Sequence, residues 1–155
     1  MITDSWHKRY MGLAAHVATW SKDPSSKVGA VAVNPEDNYV LSIGYNGFPR
    51  GIADTQERLE DREKKYPLTV HAEENCIYNA TYNGVKLKGS VLYVHGRPIC
   101  DGCSKAIIQV GISRVIMPSS IVSNLDPENI WTIKLKQSLM NFEETGIEVE
   151  ILGEF

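Results

Sequence analysis

The 155-residue chain is short of basic charge, of cysteine and of long apolar runs, and each shortage removes a class of function. Lysine and arginine number 16 against 19 acidic residues, a formal charge of −3. The basic footprint of a protein that wraps a polyanion is therefore missing, although a small anion held by a few local cations remains compatible. The first twenty residues, MITDSWHKRYMGLAAHVATW, hold no apolar stretch of signal-peptide or membrane-spanning type, because His, Lys, Arg and Asp interrupt it. The expectation is a soluble, cytoplasmic protein with neither a membrane nor a nucleic-acid partner. Three cysteines are an odd number and two of them stand three apart, which points to ligation or redox chemistry and away from a disulfide framework. With no internal repeat, low-complexity tract or linker, residues 1–155 read as a single domain.

Trp6, Tyr10, Leu13, Val17 and Trp20 recur at helical spacing and predict an amphipathic helix over 4–21, closed by KDPSS. VGAVAV (28–33) and YVLSIGYN (39–46) flank the turn NPEDN, so the first two strands should be antiparallel neighbours. The charged stretch 54–65 reads as a solvated surface insertion, with a short exposed helix as the alternative. A helix from His71 to about Tyr82 ends at NG. Then come a strand at 90–96, a helix at 101–110 closed by Gly111, and a strand at 113–118. The loop SSIVSNLDPENIW (119–131) offers Asp126 as N-cap and Pro127 as first residue of a helix running to Thr145, before a last strand at 147–152. A hairpin followed by alternating helix and strand implies a three-layer α/β/α domain around a mixed five-stranded sheet.

Two stretches carry chemistry. In TVHAEENCIY (69–78), His71, Glu73 and Glu74 on their own fit a capped helix start, with carboxylates at the positive end of the dipole. In HGRPICDGCSKAIIQVG (95–111), Cys100 and Cys103 stand at i and i+3 around a helix start, a spacing that brings both sulfurs to one side. A helix N-terminus lowers thiol pKa values, and thiolate is the form that zinc binds. A lone C-x-x-C also suits thiol–disulfide exchange. One histidine plus two cysteines would make three ligands and leave the fourth tetrahedral position open, the arrangement of a catalytic zinc. Side chains two apart in a regular helix diverge by about 200°. His71 must then sit at the helix mouth, outside the helical backbone, if it and Glu73 are to serve one site.

HAEEN followed by PICDGC resembles the H-x-E…P-C-x-x-C signature of the zinc-dependent cytidine and deoxycytidylate deaminases. SKDPSSKVGAVAV (21–33) and GYNGFPRG (44–51) are similar to the paired segments of the deoxycytidylate (dCMP) deaminases, so the resemblance spans a zinc-binding core of about 21–117. It implies a cytidine-deaminase-like fold, one Zn2+ on His71, Cys100 and Cys103, and Glu73 as proton shuttle while hydroxide attacks C4 of dCMP. The products would be dUMP, a feed for thymidylate synthesis, and ammonia. By the same resemblance Asn46 bonds the deoxyribose 3′-hydroxyl and Ala72 belongs to the substrate site; a monophosphate also needs donors, and the hydroxyls and cations of Ser25, Ser26, Lys27 and Arg50 are the candidates. Tyr45, Gly47 and Phe48 fall in the region that helps form a regulatory site, where dCTP activates and dTTP inhibits across a hexamer and Mg2+ accompanies the nucleotide.

One departure is Ile99, inserted between Pro98 and Cys100, where the family pattern sets proline directly before the first cysteine. Another follows from residues 48–70, which contain no cysteine or histidine, so the further structural zinc of some members is not expected. Elsewhere Cys76 reads as a buried small hydrophobe, Glu74 as a solvated helix-face residue, His95 as a pocket wall, and His7 and His16 as structural or exposed. Rival functions on the same scaffold are a dCTP deaminase and a tRNA adenosine deaminase, the latter disfavoured by the acidic balance. A zinc-stabilised binding module without catalysis would have no use for Glu73.

Overall fold

In the computed structural model, which describes residues 2–123 and 125–153, β1 (Gly29–Asn34) and β2 (Tyr39–Tyr45) form the expected antiparallel hairpin. The chain begins with α1 (Asp4–Ala18) and continues past the hairpin through the short helices α2 (Gln56–Glu60) and α3 (Arg62–Lys65). Then follow α4 (Ala72–Tyr82), β3 (Val91–His95), α5 (Asp101–Gln109), β4 (Arg114–Pro118), α6 (Ile130–Thr145) and β5 (Glu148–Leu152). The sheet order is β2-β1-β3-β4-β5; β1 runs antiparallel to both β2 and β3, whereas β3, β4 and β5 are parallel. This is the mixed five-stranded sheet that the pattern of elements implied.

Strand alternation sorts the core into two layers. Ala30, Ala32, Leu92, Val94, Val115 and Met117 pack on one face with residues of α4, α5 and α6, including Cys76, Ile107 and Phe142. Val31, Val33, Tyr93 and Ile116 pack on the other with Tyr10, Met11 and Ala14 of α1. The crossovers β3–α5–β4 and β4–α6–β5 step in the same direction across the sheet. Right-handed connection therefore drops both helices on one face, next to α4. Two glycines let the outer layers close on the hairpin. A Cβ at Gly29 would lie 2.0 Å from the Ala14 carbonyl oxygen of α1, and one at Gly44 would lie 2.2 Å from the Cys76 nitrogen of α4. The N-terminus of α4, which carries the chemistry, is thereby held close against β2.

Two expectations change. Asp126 does not cap α6: Asn129 does, its side chain accepting the Trp131 N–H at 2.8 Å. Asp126 accepts the Glu128 N–H and, through its carbonyl, the Thr132 hydroxyl, so Asp126 and Pro127 build a turn that delivers the helix three residues later. Within that loop Asn124 lies outside the described residues. The 54–65 stretch is only partly a solvated insertion. Thr55 and Asp61 cap its two helical turns, but Lys65 is 2% exposed and pairs with Asp23 at 3.1 Å. Among the described residues no helix is long and apolar enough to cross a membrane.

Candidate metal centre and active-site cavity

His71 is the N-cap of α4, with extended backbone (φ −69°, ψ 155°), and Ala72 is the first helical residue. The imidazole therefore leaves the helix mouth while Glu73, one residue inside, can still reach the same space. Cys100 plays the matching part at α5: it is the N-cap (φ −77°, ψ 163°), and its sulfur accepts the Cys103 N–H at 3.4 Å. The His71 Nδ1 lies 3.4 Å from the sulfur of Cys100 and 3.4 Å from that of Cys103. All three ligand atoms fall within 4.8 Å of one another. Zinc–sulfur bonds of about 2.3 Å and zinc–nitrogen bonds of about 2.0 Å at a tetrahedral angle would set nitrogen and sulfur about 3.5 Å apart. The donor set and its spacing fit a zinc ion, and the side chains present account for three of four positions.

The protons of the site follow from this crowding. The hydrogen bond from Cys103, aided by that of His71, pulls the Cys100 thiol down to about 4. Cys103 moves the opposite way, because the proton shared between the two sulfurs stays on it. His71 is raised, chiefly through its bond to Cys100. A divalent cation held by these three side chains would take the place of the protons they share. Glu73 is 3% exposed, and burial pushes its carboxyl up to about 7.

A cavity of about 420 Å³ opens in front of this triangle, lined by His71, Ala72 and Glu73 together with Ser25, Ser26 and Asn46. Asn46 is buried and stitches the cavity rim: its Oδ1 accepts the Val28 N–H at 2.9 Å and its Nδ2 donates to the Ser26 carbonyl at 2.8 Å. Asp23 braces the same loop. Burial alone would raise its carboxyl, but N–H bonds from Ser25 and Ser26 and the Lys65 ammonium outweigh that and hold it below the ordinary range.

Other expected residues do not meet there. Lys27 is turned away and donates to the Ser21 carbonyl. Arg50 bonds the Asn79 side chain and lies over the Tyr82 ring, with its carbon 4.5 Å from the ring centre. Tyr45, Gly47 and Phe48 share with Arg50 a separate depression along α4. His95 is not a wall of the cavity; it faces the α1 side of the sheet and lines another hollow with Met11 and Ala15. Glu74 is half-buried, its Oε1 3.6 Å from the Cys103 sulfur, and so is not a solvated face residue. Cys76 is fully buried, and that burial pushes its thiol up to about 12, in line with an inert core residue.

The cavity also holds groups that sequence reasoning passed over. Lys65 comes from the insertion, Arg97 from the loop before Cys100, and Trp131 and Lys134 from α6. Arg97 stood inside the quoted cysteine motif, and two residues before the Ile99 insertion. Trp131 and Lys134 gave no local signal, since their approach depends on how α6 docks. The departure takes part in that docking: Ile99 is fully buried and its carbonyl accepts the Ser138 hydroxyl of α6 at 2.9 Å, beside the core packing of Leu135 and Phe142. The Trp131 ring centre stands 6.4 Å from that of His71.

The model of the cytidine and deoxycytidylate deaminase zinc-binding region matches residues 4–119. A deaminase encoded in the luxG 3′ region of Aliivibrio fischeri is 40% identical over 144 residues, covering 93% of this chain and 91% of that protein. The deoxycytidylate deaminase of Mus musculus is 44% identical over 119 residues, or 74% of this chain and 65% of the mouse protein. Among solved structures, the dCMP deaminase of cyanophage S-TIM5 in complex with dCMP and dUMP superposes with a TM-score of 0.73 at 24% identity. The match covers 98% of this chain and all of the phage chain, a likeness of fold. With the matched region enclosing His71, Glu73, Cys100 and Cys103, the chain belongs to the cytidine and deoxycytidylate deaminase zinc-binding family.

Proposed function

We propose that this chain, acting as one domain, hydrolyses the 4-amino group of dCMP to give dUMP and ammonia, with His71, Cys100 and Cys103 as zinc ligands and Glu73 as proton carrier. The observation that carries the reading is the buried Glu73 carboxyl, poised at about 7, beside a zinc-compatible triangle in a cavity large enough for a pyrimidine. Its kinship with proteins named deoxycytidylate deaminase supports the choice of substrate. Zinc, when bound, supplies a water acidified to near neutrality as the nucleophile. Glu73 is suited to the rest: burial raises its carboxyl and a dication beside it draws it back toward ionisation, so it can both accept a proton and return it. It takes the proton of the incoming water and passes it to ring N3. As the water oxygen bonds to C4, Glu73 takes its second proton and passes it to the amino group; the C4–N bond then breaks, the C4 carbonyl forms and ammonia departs. Burial of Glu73 keeps bulk water from competing for that proton. Asn46 holds the 26–28 backbone as the wall beside the sugar, and the Ala72 N–H, without an intrahelical acceptor, is free to bond the base.

The finer expectations complete this reading. The product dUMP would supply thymidylate synthesis in the cytoplasm, and dCTP and dTTP, with Mg2+, would activate and inhibit a hexamer. The depression formed by Tyr45, Gly47 and Phe48 with Arg50 supports a regulatory site there, apart from the catalytic cavity. Zinc-loaded protein should release one ammonia per dCMP consumed. A fully zinc-loaded preparation inert toward dCMP would overturn the substrate, and equal activity after complete metal removal would overturn the mechanism. A dCMP saturation curve that neither dCTP nor dTTP changes would overturn the regulation.

A further inference from the structure

The expected phosphate ligands Lys27 and Arg50 are directed away from the cavity, yet the cavity is strongly cationic. Arg62, Arg97 and Lys134 line it, and among the described residues none of them has a carboxylate within salt-bridge distance. Lys65 is excluded from the surplus because Asp23 neutralises it. Three cations without a salt-bridge partner thus converge on one cavity in a chain of net charge −3. Two of them are positioned. The Arg97 guanidinium donates to the Ser26 hydroxyl through Nε at 3.0 Å and Nη2 at 2.5 Å, which leaves its other N–H groups free. Arg97 and Lys134 both lie 5.1 Å from the centre of the Trp131 ring, itself the aromatic neighbour of His71.

We infer that Arg97 and Lys134, steadied on Trp131, form the subsite that reads the phosphate monoester of the substrate, with Ser26 as an uncharged donor and Arg62 at the rim. A dianion suits this set, since a guanidinium offers paired N–H donors and an ammonium adds a point charge. Trp131 neighbours both groups, its ring centre 6.4 Å from that of His71 and 5.1 Å from each cation, so a base at the metal ligands and a phosphate at the cations would share one cavity. Trp131 and Lys134 lie beyond residue 119, where the family match ends. Selection for a nucleotide over a nucleoside thus depends on the C-terminal helix, which the Ile99–Ser138 bond fastens to the metal loop.

This inference rests on the proposed deaminase reading, and its test separates the two. The zinc-loaded protein and its Arg97→Gln, Arg97→Lys, Lys134→Gln and Lys27→Gln variants would be assayed with dCMP and with deoxycytidine. Binding of dUMP and of deoxyuridine would be measured by calorimetry in parallel. Arg97→Gln and Lys134→Gln should each lower the preference for the phosphorylated member of both pairs at least tenfold. Arg97→Lys should restore part of it, and Lys27→Gln should leave it within twofold. If Arg97 and Lys134 only brace the fold, nucleotide and nucleoside will suffer equally and the preference will not move; that result overturns the inference while the deaminase reading stands. If the unsubstituted protein turns over neither compound, the deaminase reading fails first, and the calorimetry still decides whether the cations hold phosphate.

Discussion

Replacing Glu73 by glutamine isolates the cost of burying a carboxyl beside the metal site. In the unfolded chain this group titrates near 4.5, and in the folded chain burial moves it to about 7. The folded state therefore holds the proton more tightly than the unfolded state. That preference stabilises the fold fully below 4.5 and is lost as pH rises through 7. A gap of about 2.5 pH units at about 1.4 kcal/mol each is about 3 kcal/mol of wild-type stability that disappears by pH 8. Glutamine has nearly the same shape and no proton to lose. In metal-free protein, urea unfolding should therefore show Glu73→Gln equal to wild type near pH 4 and more stable by about 3 kcal/mol at pH 8. Zinc changes the result in a definite direction, because a nearby dication draws the carboxyl back toward ionisation. The gain should shrink when both proteins are loaded. Turnover should fall by about 10²- to 10⁴-fold with zinc content unchanged, as expected for removal of a general acid–base group. A pH-independent gain, or a variant less stable than wild type at pH 8, would refute the burial argument.

Asp23→Asn removes the countercharge of Lys65, an ammonium 2% exposed, and should cost about 3–5 kcal/mol in urea unfolding; a loss under about 1 kcal/mol would mean that water reaches the pair. Gly44→Ala puts a methyl 2.2 Å from the Cys76 nitrogen and 2.5 Å from the Ala72 carbonyl oxygen. It should yield protein that is insoluble or unable to hold zinc, and wild-type melting with full zinc content would contradict this close packing. In metal-free protein near pH 6, iodoacetamide should modify Cys100 first, because its thiol is held near 4, and leave Cys76, pushed up to about 12, untouched until unfolding. Zinc should protect Cys100; peptide mapping reads all three thiols.

What was legible in the sequence is what local chemistry encodes. The hairpin, the order of helices and strands, and the mixed sheet follow from apolar periodicity and turn residues. His71 could be placed because it had to sit at the helix mouth, where a side chain escapes the helical spacing that would turn it from Glu73, and Cys100 because i and i+3 around a helix start bring both sulfurs to one side. Charge without periodicity was the weak signal. Lys65 sits in a polar run that reads as solvated, and only the partner Asp23, 42 residues earlier, explains its burial. Lys27 and Arg50 looked apt for an anion by their neighbours in sequence, but long side chains go where acceptors are. The Ser21 carbonyl and the Asn79 amide capture them away from the cavity. Arg97 and Lys134 are drawn inward by a tryptophan whose position depends on the docking of α6, a tertiary event with no pattern in the local sequence. The metal end of the cavity is written in short motifs, because a tetrahedral ion tolerates little variation in ligand spacing. The cationic end can be built from any element that reaches the cavity, so a signature confined to residues 4–119 can identify the family while part of the substrate selection lies outside it.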